Sequence, residues 1–294
     1  MTQKFYKYQG AGNDFLIADN RDGSISEKDG VLTCCDSQGA TMEIRISDIC
    51  DRRYGIGADG LMLLESSDCY DFRMVYFNSD GSGGMMCGNG GRCIVAFAAD
   101  MGITHIDFDA ADGFHTAEIL SEGTVKTVRL KMKDVEEIVR HENLTGPIVP
   151  SDGWFLDTGT RHFVRFVDGL DEYDIVSEGR NIRYEAKELM PIGANVNFVE
   201  PYDGGIKVRT YEKGVEDETF ACGTGIVASC IASYLNGITP SETHEDSRVC
   251  YKVKALRDDL AVDFVPAAEP VLGCSDVWLT GPATYVAEIV LRKN

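Results

Sequence analysis

CGNGGRCIVAFAADMGIT, residues 87–104, and CGTGIVASCIASYLNGIT, residues 222–239, are two readings of one pattern. They align without a gap, pairing Cys87 with Cys222, Gly88 with Gly223, Gly90 with Gly225, Gly102 with Gly237, Ile103 with Ile238 and Thr104 with Thr239. Such self-similarity at nearly half the chain length marks an internal duplication. In each copy a Cys-Gly-x-Gly segment opens a helical stretch, and Gly102 and Gly237 fall where a left-handed helix-ending residue belongs. Val95, Ala96, Phe97, Ala98 and Ala99 leave almost no polar face, and Ile231, Ala232, Tyr234 and Leu235 do the same. A helix apolar all round is buried. The pattern therefore predicts an α/β (α+β) fold of two pseudo-symmetric domains, each with strands wrapped around one central helix.

The flanking sequence fits this. Strands are expected at Phe5–Tyr8, Phe15–Ala18, Leu61–Glu65, Phe72–Phe77 and Thr124–Met132. Others are expected at Trp154–Leu156, His162–Val167, Val196–Glu200, Lys207–Tyr211, Cys250–Val253, Leu260–Phe264 and Tyr285–Leu291. A short helix capped by Ser47 is expected over Ser47–Arg53, and residues 27–43 read as a polar surface loop. HENLTGPIVPSDG, residues 141–153, gathers two prolines and two glycines and suggests a domain boundary. The expected division is 1–140 with 276–294, and 141–275.

The 294 residues carry 48 acidic and 28 basic side chains, a formal net charge of −20. That argues against a nucleic-acid partner and against docking on an anionic membrane. A local pocket can still oppose the global sign for a small substrate. No apolar run approaches the roughly 20 residues of a membrane span. The N-terminus MTQKFYKYQG has no signal-peptide core, so a cytoplasmic location is expected. The ten cysteines include no C-x-x-C pair, which speaks against a zinc or thioredoxin-like site. In a reducing compartment most are expected to be small core residues, Cys93 and Cys230 among them.

Cys87 and Cys222 are different, because a helix N-terminus presents unpaired N–H groups and a partial positive charge. Such a position lowers a thiol pKa from about 8.5. The N–H groups of Gly88, Asn89, Gly223 and Thr224 can cradle a carboxylate, and the glycines clear the approach. Two opposed thiols suit inversion at a carbon next to a carboxylate, one removing the α-proton and the other returning a proton to the opposite face. A nucleophilic cysteine enzyme would need one thiol and a histidine base. A lone C-G-x-G is more often a buried turn, and it is the duplication that favours chemistry.

Beyond the repeat stand GAGNDF (10–15), GIGADG (55–60), NSDGSGGMMCGNGGRC (78–93), TGTRHF (158–163), GANVNF (193–198), YEKGVEDETFACGTG (211–225) and TGPATYV (280–286). With these motifs the sequence resembles the diaminopimelate epimerase family nearly end to end. The resemblance implies two α/β domains of similar fold, a homodimer, an amino-acid substrate, and no pyridoxal phosphate or metal. It implies that Cys87 and Cys222 are the acid/base pair, and that Gly88-Asn89 and Gly223-Thr224 bind the carboxylate. Asn13, Asn78 and Asn195 then match residues that hold substrate polar groups, with Thr160 and Lys213 toward its distal end. Glu212 matches a substrate contact that tunes the thiols, and His162 a second tuning residue. By residue type alone His162 fits a satisfied strand histidine, and Asn13 and Asn78 fit turns. Gly60 stands where some members carry a substrate-contacting side chain.

Two segments depart from the family pattern. Gly159-Thr160-Arg161-His162 replaces the usual Gly-Asn-Pro-His or Gly-Ser-Pro-His, and Glu212-Lys213-Gly214 replaces Glu-Arg-Gly. Both lie, by the resemblance, toward the unreacting end of the substrate. There Arg161 or Lys213 is expected to meet an anionic group, unless Arg161 simply points to solvent. The leading reading is epimerisation of LL-diaminopimelate to the meso form, in lysine and peptidoglycan precursor biosynthesis. A same-fold racemase of another amino acid, such as histidine, and a redox protein that joins Cys87 to Cys222 remain as alternatives.

Overall fold

The computed structural model describes residues 1–84, 86–142, 152–268 and 271–293. The chain divides into two compact units, Met1–Leu130 with Pro282–Asn294, and Lys131–Gly281. The elements of the first are β1 (Thr2–Gly10), β2 (Asn13–Asp19), β3 (Ile25–Lys28), β4 (Val31–Cys35), β5 (Thr41–Arg45), α1 (Ile46–Cys50), β6 (Gly60–Glu65), β7 (Phe72–Asn78), α2 (Gly88–Asp100), β8 (Asp107–Ala110), β9 (Gly113–Ser121) and β10 (Val125–Lys131). The second carries β11 (Ile138–His141), β12 (Gly153–Asp157), β13 (Arg161–Phe166), α3 (Ile175–Glu185), β14 (Asn195–Tyr202), β15 (Gly205–Glu212), β16 (Asp217–Thr219), α4 (Gly223–Leu235), β17 (Glu242–Thr243), β18 (Val249–Lys254) and β19 (Asp259–Pro266). The long β20 (Cys274–Arg292) begins in the second unit and ends in the first.

Strand pairing runs in the same order in both units. In the first, β20 pairs antiparallel with β1 (Phe5 opposite Ile289) and β1 with β2 (Tyr8 opposite Phe15). Then β2 runs parallel to β6, β6 antiparallel to β7, β7 parallel to β8, and β8 and β9 antiparallel to their successors. The ring closes where Tyr285 N–H donates to the Thr124 carbonyl at 2.9 Å. In the second, β11, β12 and β13 pair antiparallel, β13 runs parallel to β14, β14 antiparallel to β15, β15 parallel to β18, and β18, β19 and the first part of β20 antiparallel. Its closure is the bridge between Val135 and Cys274. Residues 131–140 thus belong with the second ring, and the chain crosses near 130/131 and 281/282 rather than at 140/141 and 275/276. Most of the segment 141–153, read as a boundary, lies outside the described residues.

Each ring wraps its own helix. Along α2, Ile94, Val95, Ala96, Phe97 and Ala98 are fully buried against β1, β2, β6 and β9. Along α4, Val227, Ala228, Cys230, Ile231 and Ala232 are buried against β12, β13, β14, β15 and β19. Burying an aliphatic or phenyl side chain of this size contributes about 1.5–3 kcal/mol, which offsets the weak helix preference of the glycine-rich starts. Both helices end alike. Gly102 (φ 83°) donates to Ala99 O and Ile103 to Ala98 O, while Gly237 (φ 75°) donates to Tyr234 O and Ile238 to Ser233 O, all at 3.0 Å. The shared Gly-Ile-Thr of the repeat is therefore a left-handed helix stop made twice.

Two expectations need correction, and one element was not foreseen. Residues 27–43 are not a loop, because β3, β4 and β5 form a separate antiparallel sheet. Leu32, Cys34, Met42 and Ile44 alternate inward and pack with Ile46, Ile49, Leu61 and Leu63, while the intervening polar side chains face out. The helix near Ser47 spans only Ile46–Cys50, and Arg45, with no side-chain bond, stands at its N-cap instead of Ser47. The unforeseen element is the helix α3, whose Ile175, Gly179 and Ile182 form one buried stripe. Asp174 caps it by accepting Ser177 N–H at 3.1 Å, and a Cβ on Gly179 would lie 2.3 Å from the Tyr211 side chain of β15.

Candidate functional site

In the first unit Cys87 is the N-cap of α2, with extended backbone (φ −123°, ψ 155°), and its Sγ accepts the Gly90 N–H at 3.3 Å. A Cβ on Gly90 would sit 3.3 Å from that sulfur, so the glycine lets the thiol turn back over its own helix. Beneath it Asn89 Nδ2 donates to Asn13 Oδ1 at 2.7 Å, and Asn13 Nδ2 donates to Asp59 Oδ2 at 2.9 Å. Arg92 is wholly buried and donates to Gly88 O (3.1 Å) and Asn89 Oδ1 (2.9 Å). A buried guanidinium under a helix start reinforces the positive end of the dipole. Asn13 thus bonds to Asn89, two residues past Cys87 in the first turn of α2. Asn78 donates to Ser82 Oγ at 3.0 Å and closes the turn after β7.

The sequence reading missed Tyr76. A Cβ on Gly60 would lie 2.4 Å from its ring, and one on Gly84 2.2 Å away. The phenol therefore fills the space that a side chain at position 60 would take. Burial, followed by nearby negative charge with Cys87 first, pushes its pKa well above the ordinary tyrosine value. The two glycines on either side were the available signal, but only the fold shows what they make room for.

In the second unit Cys222 is the N-cap of α4 (φ −101°, ψ 109°), yet its sulfur makes no capping bond. Its Sγ lies 3.5 Å from Thr224 Oγ1. Thr224 Oγ1 is 2.9 Å from His162 Nε2 and 3.1 Å from Thr160 Oγ1, and Thr160 Oγ1 is 2.9 Å from the same nitrogen. Thr158 Oγ1 donates to Thr224 O at 3.0 Å, pinning the helix start to the end of β12. His162 is fully buried, and burial drops its pKa to about 3. The ring is neutral at physiological pH, as the reading of a satisfied strand histidine requires.

Asn195 stands opposite His162 in the parallel pair β13–β14. Its amide donates to Arg161 O (3.0 Å) and accepts Lys213 N–H (2.8 Å), so it ties the departing segment Thr160-Arg161 to Lys213. Glu212, at the end of β15, accepts Thr219 Oγ1–H at 2.8 Å. The Lys213 side chain is exposed. Arg161 does not simply point to solvent, since its guanidinium lies 4.9 Å over the Phe155 ring. Asn197, with both amide ends engaged against His162 and Thr210, was also missed. Among the described residues no group of three or more His, Cys, Asp or Glu could hold a metal ion. No described helix is long and apolar enough to cross a membrane.

Solved structures share this architecture. The Bacillus anthracis phenazine biosynthesis protein of the PhzF family superposes with TM-score 0.67 at 14% identity, covering 100% of both chains. A hydroxyproline epimerase from Agrobacterium vitis gives 0.64 at 14% identity over 99% of this chain and 92% of that one. At such identities the likeness is one of fold. In this chain a cysteine heads the buried helix of each ring, and the sequence relatives give the class, an isomerase of the amino-acid epimerase kind. The family profile described as diaminopimelate epimerase matches residues 5–136 and 154–251. The diaminopimelate epimerase of Flavobacterium psychrophilum is 40% identical over 291 residues, covering 98% of this chain and 100% of that protein. The chain belongs to the diaminopimelate epimerase family.

Proposed function

We infer that the protein converts LL-2,6-diaminopimelate to meso-diaminopimelate in lysine and peptidoglycan precursor biosynthesis, without pyridoxal phosphate or a metal. The observation that carries this reading is one device made twice, a cysteine at the N-cap of a buried helix, once in each unit. Inversion needs a proton carrier for each face of the α-carbon, and the two equivalent thiols meet that need. One of Cys87 and Cys222, as thiolate, takes the α-proton, and the other, as thiol, gives its own to the opposite face. The protein leaves the cycle with the two protonation states exchanged, and the reverse reaction restores them.

The charge that develops on the substrate carboxylate is met by the N–H groups of Gly88, Asn89, Gly223 and Thr224, with Asn13, Asn78 and Asn195 ordering the surrounding polar groups. His162, too weakly basic to take a substrate proton, serves Cys222 through Thr224. Glu212 contacts the substrate near the same thiol. Thr160 and Lys213 serve the distal end, where Lys213 offers a point charge in place of a two-pronged guanidinium. The departure at Thr160-Arg161 and Lys213 also favours a second reading, a same-fold racemase whose substrate lacks the distal carboxylate. A second copy of the chain as partner and a cytoplasmic setting complete the proposal.

The test is α-proton exchange in heavy water across diaminopimelate, histidine, glutamate and lysine. Deuterium entering the α-carbon of diaminopimelate fastest is the expected result. Faster exchange on a simpler amino acid would move the assignment to the racemase, and a protein that exchanges none of the four would not be an epimerase of these substrates.

A further inference from the structure

We propose that Asn197 is a positioning residue that fixes His162 as the Nε2–H tautomer and thereby directs the Thr224 hydroxyl proton to the Cys222 sulfur. The proposal rests on the reading of Cys222 as an acid/base group. Asn197 and His162 are both fully buried. The Asn197 amide nitrogen lies 3.3 Å from the Phe163 carbonyl and 3.1 Å from His162 Nδ1. A carbonyl can only accept, so the group facing it must be the NH2 end of the amide. The oxygen end is accounted for separately, because it accepts Thr210 Oγ1–H at 2.9 Å. The same NH2 therefore donates to Nδ1, which must present its lone pair, and in a neutral ring the proton then sits on Nε2.

The direction set at Asn197 runs outward. Nε2–H points at Thr160 Oγ1 and Thr224 Oγ1, each 2.9 Å away. Whichever hydroxyl accepts it, the chain can continue head to tail, leaving the Thr224 proton for Cys222 Sγ at 3.5 Å. With the opposite tautomer Nε2 would draw one of those hydroxyl protons inward, in competition with the sulfur. A hydrogen bond donated to the charged form stabilises it, so the arrangement favours the Cys222 thiolate. The second glycine of Cys-Gly-Thr-Gly fits this role, since a Cβ on Gly225 would lie 2.3 Å from Asn197 Oδ1 and 3.2 Å from His162 Cε1. The Cys87 sulfur accepts the Gly90 N–H of its own helix. Charged side chains on the strands packed against α4 are Asp157 on β12, Arg161 and Arg165 on β13, Glu200 on β14, Lys207, Arg209 and Glu212 on β15, and Asp259 and Asp263 on β19. They are unchanged in the variants below.

Nitrogen-15 spectra of histidine-labelled protein, assigned with His162→Gln, should show His162 protonated on Nε2 near neutral pH. In Asn197→Leu the proton should spread over both nitrogens. The pH dependence of Cys222 alkylation, read at that residue by mass spectrometry, should move up by about one unit in Asn197→Leu and Thr224→Val, and Thr224→Ser should restore it. Thr224→Val should leave the His162 tautomer in place, so a folding defect in Asn197→Leu does not block the test. A proton on Nδ1 in the unaltered protein, or an unmoved Cys222 midpoint in Thr224→Val, overturns the proposal. Neither readout uses a substrate. A protein that passes both and still leaves diaminopimelate unchanged refutes the epimerase reading alone.

Discussion

At the scale of single residues, two cysteines in equivalent positions do different local work. Cys87 uses its sulfur to cap α2, whereas Cys222 turns its sulfur to Thr224. Each is required if every face of the α-carbon has its own proton carrier. Cys87→Ala and Cys222→Ala should each slow epimerisation by about 10²–10⁴-fold, the usual worth of a positioned acid or base. Chirality-resolved chromatography of the diaminopimelate isomers reads this directly, and near-normal turnover in either variant would end the two-thiol mechanism. Thiol reagents should inactivate the enzyme, with substrate protecting it.

At the scale of elements, the two central helices owe their ends to backbone geometry. Gly237 holds φ 75° with nothing within 4 Å of the place its Cβ would take. Gly237→Ala should therefore cost only the left-handed strain, about 1 kcal/mol, and lower the urea midpoint with an unchanged slope. The result expected for α3 is larger. There Gly179→Ala would drive a Cβ to 2.3 Å from the Tyr211 side chain, and lifting the helix off β15 should cost about 1–3 kcal/mol. If Gly179→Ala melts no earlier than Gly237→Ala, the close approach of α3 to β15 is not what that glycine serves.

At the scale of the whole molecule, the buried neutral His162 couples folding to pH. Its folded pKa of about 3 lies below the ordinary value of 6.5, so the unfolded chain binds a proton there first. The stability this contributes is complete above about pH 6.5 and is lost as pH falls toward 3. Melting temperature should drop across that window, and His162→Gln should flatten the part of the slope that is due to the ring. Turnover should also survive exhaustive chelation, since two thiols complete the proton transfers between them. Loss of activity in chelator with recovery on a specific metal would contradict this.

The sequence by itself determined the duplication, the two buried helices, their glycine stops and the cysteine that precedes each helix. Each of these is written locally, in residue types at fixed spacing. It also carried Asn13, Asn89, Thr160, His162 and Thr224 through family resemblance, though not the bonds that join them. What only the tertiary structure decided depends on contacts distant in the chain. The sheet β3–β5 was read as a loop because its polar edge residues mask four inward side chains, and burial is decided by what packs against them. The stripe of α3 is broken by Gly179, whose purpose is visible only with Tyr211 beside it. The place of Tyr76 between Gly60 and Gly84, and of Asn197 between His162 and Thr210, joins residues on different strands. No periodicity reports which hydrogen bonds a buried amide makes, because that choice belongs to the partners that tertiary folding brings within reach.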